Sequence, residues 1–197
     1  MNPEHEDLCA SPKWADYVQT EILPTVTAGI ELGQDMLEIG PGPGAATGWL
    51  AERVAKLTAL ESDEGAAARL AERYDGRNVT VDTGDATRMP YPGGAFDAVV
   101  SFTMLHHVPT VAAQYQILAE ALRVLRPGGT LVGSDSLASV GLHHFHADDV
   151  YNPLDPATLL CWLRTLGFCP VTITVGEVLM FTARKPAAQQ GGDGCTT

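Results

Sequence analysis

Basic residues are scarce in this chain. Only 12 of its 197 residues are Lys or Arg, against 24 Asp and Glu, and the formal net charge is −12. Proteins that hold nucleic acid neutralise phosphates with clustered cations. No basic stripe occurs here, so neither nucleic acid nor an anionic membrane is expected as a partner, and the acidity reads as a solubility feature. Long apolar runs are also missing: none approaches the roughly 18 residues that a membrane span requires. The first residues, Met1-Asn2-Pro3-Glu4-His5-Glu6-Asp7, lack the basic start and apolar core of a signal peptide, which points to a cytoplasmic protein. The cysteines (Cys9, Cys161, Cys169 and Cys195) show neither CxxC nor zinc-finger spacing. Cys161 and Cys169 stand in apolar surroundings and read as reduced core residues, and no disulfide framework is implied. Internal repeats are absent.

What is present is an ordinary globular composition, 45% hydrophobic, in a length that suits one domain. A helix is expected from about Ser11 to Thr27, with Ser11 as N-cap, Pro12 at the first helical position and Trp14, Tyr17, Val18 and Ile22 at near-helical spacing. The chain then alternates. Strands are expected at Met36–Ile39, Leu57–Glu61, Val79–Thr83, Phe96–Phe102 and Thr130–Ser134, with helices at Ala45–Val54, Gly65–Tyr74 and Val111–Val124 between them. Such alternation reads as βαβ units around a parallel sheet. Residues 136–155 look irregular. A helix over Pro156–Leu166, stopped by Gly167, precedes a hairpin of Val171–Val175 and Val178–Arg184 with Gly176-Glu177 as a two-residue turn. The expected organisation is a helical cap over 1–34, a main domain over 35–186 and a disordered tail over 187–197.

Four features follow one another in a fixed order. Met36-Leu37-Glu38-Ile39 runs into Gly40-Pro41-Gly42-Pro43-Gly44, three glycines in five residues. Glycine at alternate positions permits positive φ and lets a ligand approach backbone closely, and a following helix would aim free N–H groups at the same place. Alone this fits any nucleotide-type cofactor, dinucleotides included. Glu61 ends the second strand, where a carboxylate can accept hydrogen bonds from ribose hydroxyls. Gly84-Asp85-Ala86 follows the third strand and offers a carboxylate for an adenine amino group and an N–H for a ring nitrogen. Phe96-Asp97-Ala98-Val99-Val100-Ser101-Phe102 then leads to Met104-Leu105-His106-His107-Val108 at the edge where such sheets bind ligands.

Taken with Leu125-Arg126-Pro127-Gly128-Gly129-Thr130-Leu131, this order resembles the motifs of class I S-adenosylmethionine-dependent methyltransferases from about Met36 to Leu131. The terminal hairpin is similar to the reversed last strand of that fold. The resemblance implies a Rossmann-like, doubly wound α/β sheet of seven strands, in the order 3-2-1-4-5-7-6, with strand 7 antiparallel and helices on both faces. It implies S-adenosylmethionine as cofactor. Glu38, Gly40, Gly42 and Gly44 would shape the site of its methionine part, Glu61 and Ser62 the ribose site, and Asp85 and Ala86 the adenine site. Ser101 would line the far side, and Tyr17 would close over the methionine end.

The acceptor is less defined. His106 is the candidate base or acceptor-orienting residue, and His107 reads as structural. His143-His144-x-His146-x-Asp148-Asp149 invites a metal reading, but an irregular segment gives such ligands no scaffold. Acceptor contacts or a solvated loop are preferred there, and no metal is expected. Asp135, His143, His146 and Tyr151 are the candidate acceptor-pocket residues. A small-molecule acceptor and a monomer or homodimer are expected. Two rivals stay open: an S-adenosylmethionine-binding protein without transferase activity, and an NAD-dependent oxidoreductase, which would leave Gly84-Asp85-Ala86 unexplained.

Overall fold

The computed structural model describes residues 3–188. Seven strands form one sheet in the order β3-β2-β1-β4-β5-β7-β6. They are β1 (Asp35–Ile39), β2 (Lys56–Glu61), β3 (Val79–Thr83), β4 (Phe96–Phe102), β5 (Leu125–Asp135), β6 (Val171–Val175) and β7 (Leu179–Arg184). Strands β1 to β5 pair in parallel, while β7 runs antiparallel to both β5 and β6.

Side-chain alternation along the strands decides which residues meet which layer. Leu37, Ile39, Val99 and Leu131 face one way, onto Ile117, Leu118 and Ala121 of α6 (Val111–Val124) and Leu159 and Leu163 of α8 (Pro156–Leu166). Met36, Ala98, Val100 and Val132 face the other, onto Val18, Ile22, Leu23 and Leu50. Both faces of the central strands are covered, which is why β1 and β4 read as continuous apolar runs. The edge strands β3 and β6 are only half covered.

Helices α1 (Pro3–Ala10), α2 (Pro12–Tyr17) and α3 (Leu23–Val26) open the chain, with a π-helical turn, Val18–Ile22, joining the last two. Ser11 caps α2 by accepting a hydrogen bond from Trp14 N. The π-turn has a local cause. Leu23 N donates to Val18 O, five residues back, immediately before Pro24, which has no N–H and whose ring would crowd an α-helical carbonyl. Further on lie α4 (Thr47–Ala51), α5 (Glu64–Arg73) and α7 (Val140–Phe145). No helix among the described residues is long and apolar enough to cross a membrane.

Several sequence expectations need correction. Helix α4 is shorter than Ala45–Val54, because the turn through residues 42–46, with Gly44 at φ +85, delays its first residue. β5 starts at Leu125, with a register shift against β4 where Gly128 takes φ +82. The segment 136–155 contains α7, which Ser139 caps by accepting from Leu142 N. The hairpin loop spans Gly176 to Val178, since Val175 pairs with Leu179, and Gly176 does not take a positive φ. Cys161 is exposed, and Cys169 is disulfide-bonded where a reduced core thiol was expected. Of the tail expected to be disordered, residues 189–197 lie outside the described residues.

Candidate functional site

The glycine turn leaves the carboxyl end of β1. Gly40, Gly42 and Gly44 take φ +63, +51 and +85, so each occupies the left-handed region that L side chains rarely adopt. Their surroundings differ. A Cβ on Gly40 would collide with the Met104 side chain and one on Gly44 with Leu70, while one on Gly42 would meet nothing within 4 Å. All three are strained positions for any other residue because of their positive φ; side chains pack against the outer two, and the middle one borders open space. The turn is tied to the sheet by Gly40 N donating to Leu60 O at 2.9 Å and Gly42 N donating to Glu61 Oε2 at 3.0 Å. With α4 only five residues long, the backbone of the turn rather than a helix dipole supplies its polarity.

Glu38 sits directly under this turn, buried, with its Oε2 accepting from Thr47 Oγ1 at 2.8 Å. Burial, with the like charge of Glu61 adding, pushes its carboxyl up to about 7; the Thr47 hydrogen bond opposes the shift. Glu61 also accepts from Ser62 N, Ser62 Oγ and Asp63 N through Oε1. It is therefore a junction between the turn and the start of α5. Asp85 is exposed and caps the short 3-10 turn Ala86–Arg88, with one oxygen accepting from Thr87 N and Thr87 Oγ1. Its second oxygen stays available. Ser101, near the carboxyl end of β4, is 3% exposed and its Oγ has no hydrogen-bond partner.

Beyond β4 the chain turns sharply at Thr103, a non-glycine residue at φ 51. His106 follows, 3% exposed, with Nδ1 at 2.6 Å from Asp135 Oδ1. Asp135 is fully buried, and its oxygens accept from Leu105 N and Ser136 N as well as facing His106. It holds the His106 loop from behind. Tyr151 and His146 do gather on this side: their rings stack at 4.4 Å, and His106 meets Tyr151 edge-on at 6.0 Å. His143 is exposed, with its ring 6.2 Å from that of Tyr151.

Two histidines join the group that sequence reading did not assign to it. His107 packs its ring 4.0 Å from His106, and His5 of α1 lies 4.7 Å from His107 and 4.4 Å from His146. Burial, then the neighbouring His106, His5 and His146, push His107 down to about 3, and burial followed by His146 lowers His5. Gln114 and Asn152 were also missed. Gln114 Nε2 donates to Leu105 O and Asn152 O, and Asn152 N donates to His106 O, so the His106 turn is sewn to the segment before α8. No local signal marks either residue, because an amide in an apolar helix gains meaning only from what it faces.

Tyr17 is half-buried, 5.8 Å ring to ring from Trp14, and lines a cavity of about 310 Å³ with Thr25, Thr174 and Met180. Two residues on, Gln19 Nε2 donates to Ala45 O at 2.8 Å and fastens the helix to the end of the glycine turn.

Residues 37–133 match the family described as "Methyltransferase domain". A probable S-adenosylmethionine-dependent methyltransferase of Mycolicibacterium smegmatis is 32% identical over 143 residues, covering 69% of this chain and 52% of that protein. The demethylmenaquinone methyltransferase of Beutenbergia cavernae is 35% identical over 53% of this chain and 41% of its own length. The chain thus spans about half the length of these curated relatives or less. Among solved structures, an S-adenosylmethionine-dependent methyltransferase of Methanosarcina mazei superposes with a TM-score of 0.70 at 18% identity, over 85% of this chain and 99% of that one. The strand order, the glycine turn and these matches identify residues 37–133 as a methyltransferase domain of the class I S-adenosylmethionine-dependent type.

Proposed function

We propose that this protein moves the methyl group of S-adenosylmethionine to an N, O, S or C nucleophile on a small molecule. The observation that carries the reading is the succession along one sheet edge: Glu38 and the glycine turn after β1, Glu61 after β2, and Asp85 after β3. The residues present suit the cofactor. Gly42 borders open space that a side chain would fill, and Ser101 offers a buried hydroxyl with no hydrogen-bond partner. We assign Glu38, Gly40, Gly42 and Gly44 to the methionine part, with Tyr17 at its outer end. Glu61 and Ser62 serve the ribose, Asp85 and the Ala86 N–H the adenine, and Ser101 the far side.

When bound, the cofactor supplies an electrophilic methyl on a cationic sulfur, a leaving group that needs no acid. The chain's task is then to align the acceptor and exclude water. Asp135 fixes the His106 ring through Nδ1 and leaves Nε2 as the nitrogen that can take a proton from an acceptor that carries one at neutral pH. Tyr151, His143 and His146 border the same side. A net charge of −12 and the small-molecule name of the demethylmenaquinone relative favour a small acceptor over nucleic acid or membrane. On this reading the enzyme works in the cytoplasm as a monomer or homodimer.

Calorimetry with S-adenosylmethionine and with NAD tests the cofactor, and NAD binding without sulfonium binding would sink the proposal. A screen of small nucleophiles for methyl transfer separates an enzyme from a silent binder. In that assay His106→Ala is expected to lower kcat by about 100-fold or more and to remove the limb of the pH profile that reports the base. Turnover unchanged across pH would take the base role from His106.

A further inference from the structure

The four-histidine group beside the sheet edge has a chemistry of its own. His5 comes from α1, His106 and His107 from the turn after β4, and His146 from the residue that ends α7. One ring nitrogen from each lies within 4.8 Å of the other three. For comparison, four nitrogens about 2.0–2.1 Å from a tetrahedral zinc ion stand roughly 3.3 Å apart. Small side-chain movements would therefore close the group on a metal.

The state of the nitrogens supports a ligand role. His146 Nδ1 is 2.7 Å from Leu142 O and so carries the proton, which leaves a lone pair on Nε2. That Nε2 is buried with no hydrogen-bond partner, on a residue only 4% exposed. His107 Nδ1 is likewise buried and unpartnered. Such atoms are costly to leave unsatisfied in a native interior. His106 presents Nε2, since its Nδ1 faces Asp135. A carboxylate behind a ligating imidazole fixes its tautomer and raises its basicity, the usual outer shell of a histidine-bound metal. His5 has the same kind of neighbour, with Nδ1 at 3.4 Å from Asp149 Oδ2. Two carboxylates would match the charge of a divalent cation held by four neutral rings.

We infer that His5, His106, His107 and His146 form a binding site for a divalent transition-metal ion, with zinc the best match to four imidazole ligands. Four protein ligands leave no open position, as in a structural site. The ion ties α1 and α7 to the turn after β4, three segments far apart in sequence, and so holds the N-terminal helix over the acceptor side. It also occupies the nitrogen assigned above to the acceptor's proton. Metal-loaded and metal-free protein should therefore differ at His106, although metal binding itself does not depend on methyl transfer.

The test is titration of the metal-free full chain with Zn²⁺ alone, by calorimetry, and with Co²⁺, whose visible bands report tetrahedral coordination. One ion per chain is expected, with intense tetrahedral Co²⁺ bands and a rise in Tm. His146→Ala and His5→Ala should each weaken Zn²⁺ binding by at least about 100-fold, and Asp135→Asn by about 10- to 100-fold. His144→Ala, which alters an exposed histidine outside the group, should bind as wild type. Circular dichroism of each metal-free variant separates lost ligation from lost folding, and His5→Ala, altered on the terminal helix, decides the matter if His146→Ala does not fold. Absence of Zn²⁺ binding, octahedral Co²⁺ bands, undiminished binding by His5→Ala, or an equal loss in His144→Ala would each overturn the site.

Discussion

The two ends of this sheet treat polar groups in opposite ways. At the amino end of the strands, Arg126 reaches Asp97 at 2.5 Å and Asp35 at 2.9 Å, and Asp97 also accepts from Gln34 N and Asp35 N. At the carboxyl end, Ser101, Ser134, His107 and His146 each hold a buried polar atom with no partner, and Glu38 is kept in a site that disfavours its charge. Unsatisfied buried groups cost about 1–3 kcal/mol each. A fold that completes its hydrogen bonds at one end and leaves them incomplete at the other has its ligand end marked without reference to any motif.

The largest expected effect that tests this contrast comes from exchanging one glycine at each end. Gly40→Ala forces a side chain into positive φ and into Met104, and should cost about 1–3 kcal/mol of stability and abolish measurable cofactor binding. Gly76, at φ +71 in the turn before β3, has nothing within 4 Å. Gly76→Ala should cost about 1 kcal/mol and leave cofactor affinity unchanged. Denaturant titration and calorimetry on the pair check both; equal losses of affinity would erase the distinction. Next in size, Glu61→Ala should weaken S-adenosylmethionine binding by about 10- to 100-fold, roughly 1.4–2.8 kcal/mol, with a smaller loss for the exposed Asp85→Ala.

Carboxylates at the two ends should also answer pH with opposite signs. Glu38 is raised from 4.5 to about 7, chiefly by burial, so the folded state holds a proton that the unfolded state releases. Stability should fall as pH rises from about 4.5 through 7, by at most about 1.4 kcal/mol per pH unit. Asp97 is lowered: burial opposes the shift, but the N–H groups of Asp35 and Gln34 and the Arg126 guanidinium outweigh it. Its stabilisation is present above the unfolded value of 3.8 and fades as pH drops through the folded one. Glu38→Gln, whose side-chain carbonyl can still accept from Thr47, should flatten the profile between 4.5 and 7 and leave the acid limb in place. A profile that keeps its neutral slope in Glu38→Gln assigns that slope to another group.

Much of this was readable from the chain, for reasons that are local. Apolar runs located β1 to β4: burial on both faces makes them continuous in β1, β2 and β4, and the half-covered edge strand β3 keeps an alternating pattern. The glycines, Glu61 and Asp85 were readable because backbone conformation and strand ends leave marks in neighbouring residues. The early start of β5 was not, since Pro127-Gly128-Gly129 reads as a turn; it bridges a register shift against β4 and bonds to the chain after β7, with Gly128 N donating to Lys185 O and Lys185 N to Gly129 O. The Asp135–His106 contact requires β4 and β5 to be neighbours, which is a property of strand order. His5 was out of reach: it stands in a short acidic helix and meets His107 and His146 only through tertiary packing. Reading the histidine-rich segment by itself named His143 and His146 together, whereas only the fold distinguishes them, turning His146 inward and leaving His143 exposed.

The smallest expected effect is the sharpest control on the comparison. Arg126 pairs with two carboxylates, yet its side chain is 42% exposed, and exposed ion pairs contribute about 0–1 kcal/mol. Arg126→Met keeps the apolar stem and removes only the charge. Asp97 would still accept from Gln34 N at 2.9 Å and Asp35 N at 3.0 Å, so no buried acceptor is orphaned. Stability should drop by less than about 1 kcal/mol, and by less still at high salt, where such pairs are screened. Cofactor affinity should not change, because the residue lies at the end of the sheet opposite the glycine turn. If Arg126→Met weakened S-adenosylmethionine binding as much as Glu61→Ala does, the two ends would be coupled through the strands. The incomplete hydrogen bonding at the carboxyl end would then belong to the stability of the whole sheet instead of to its ligand.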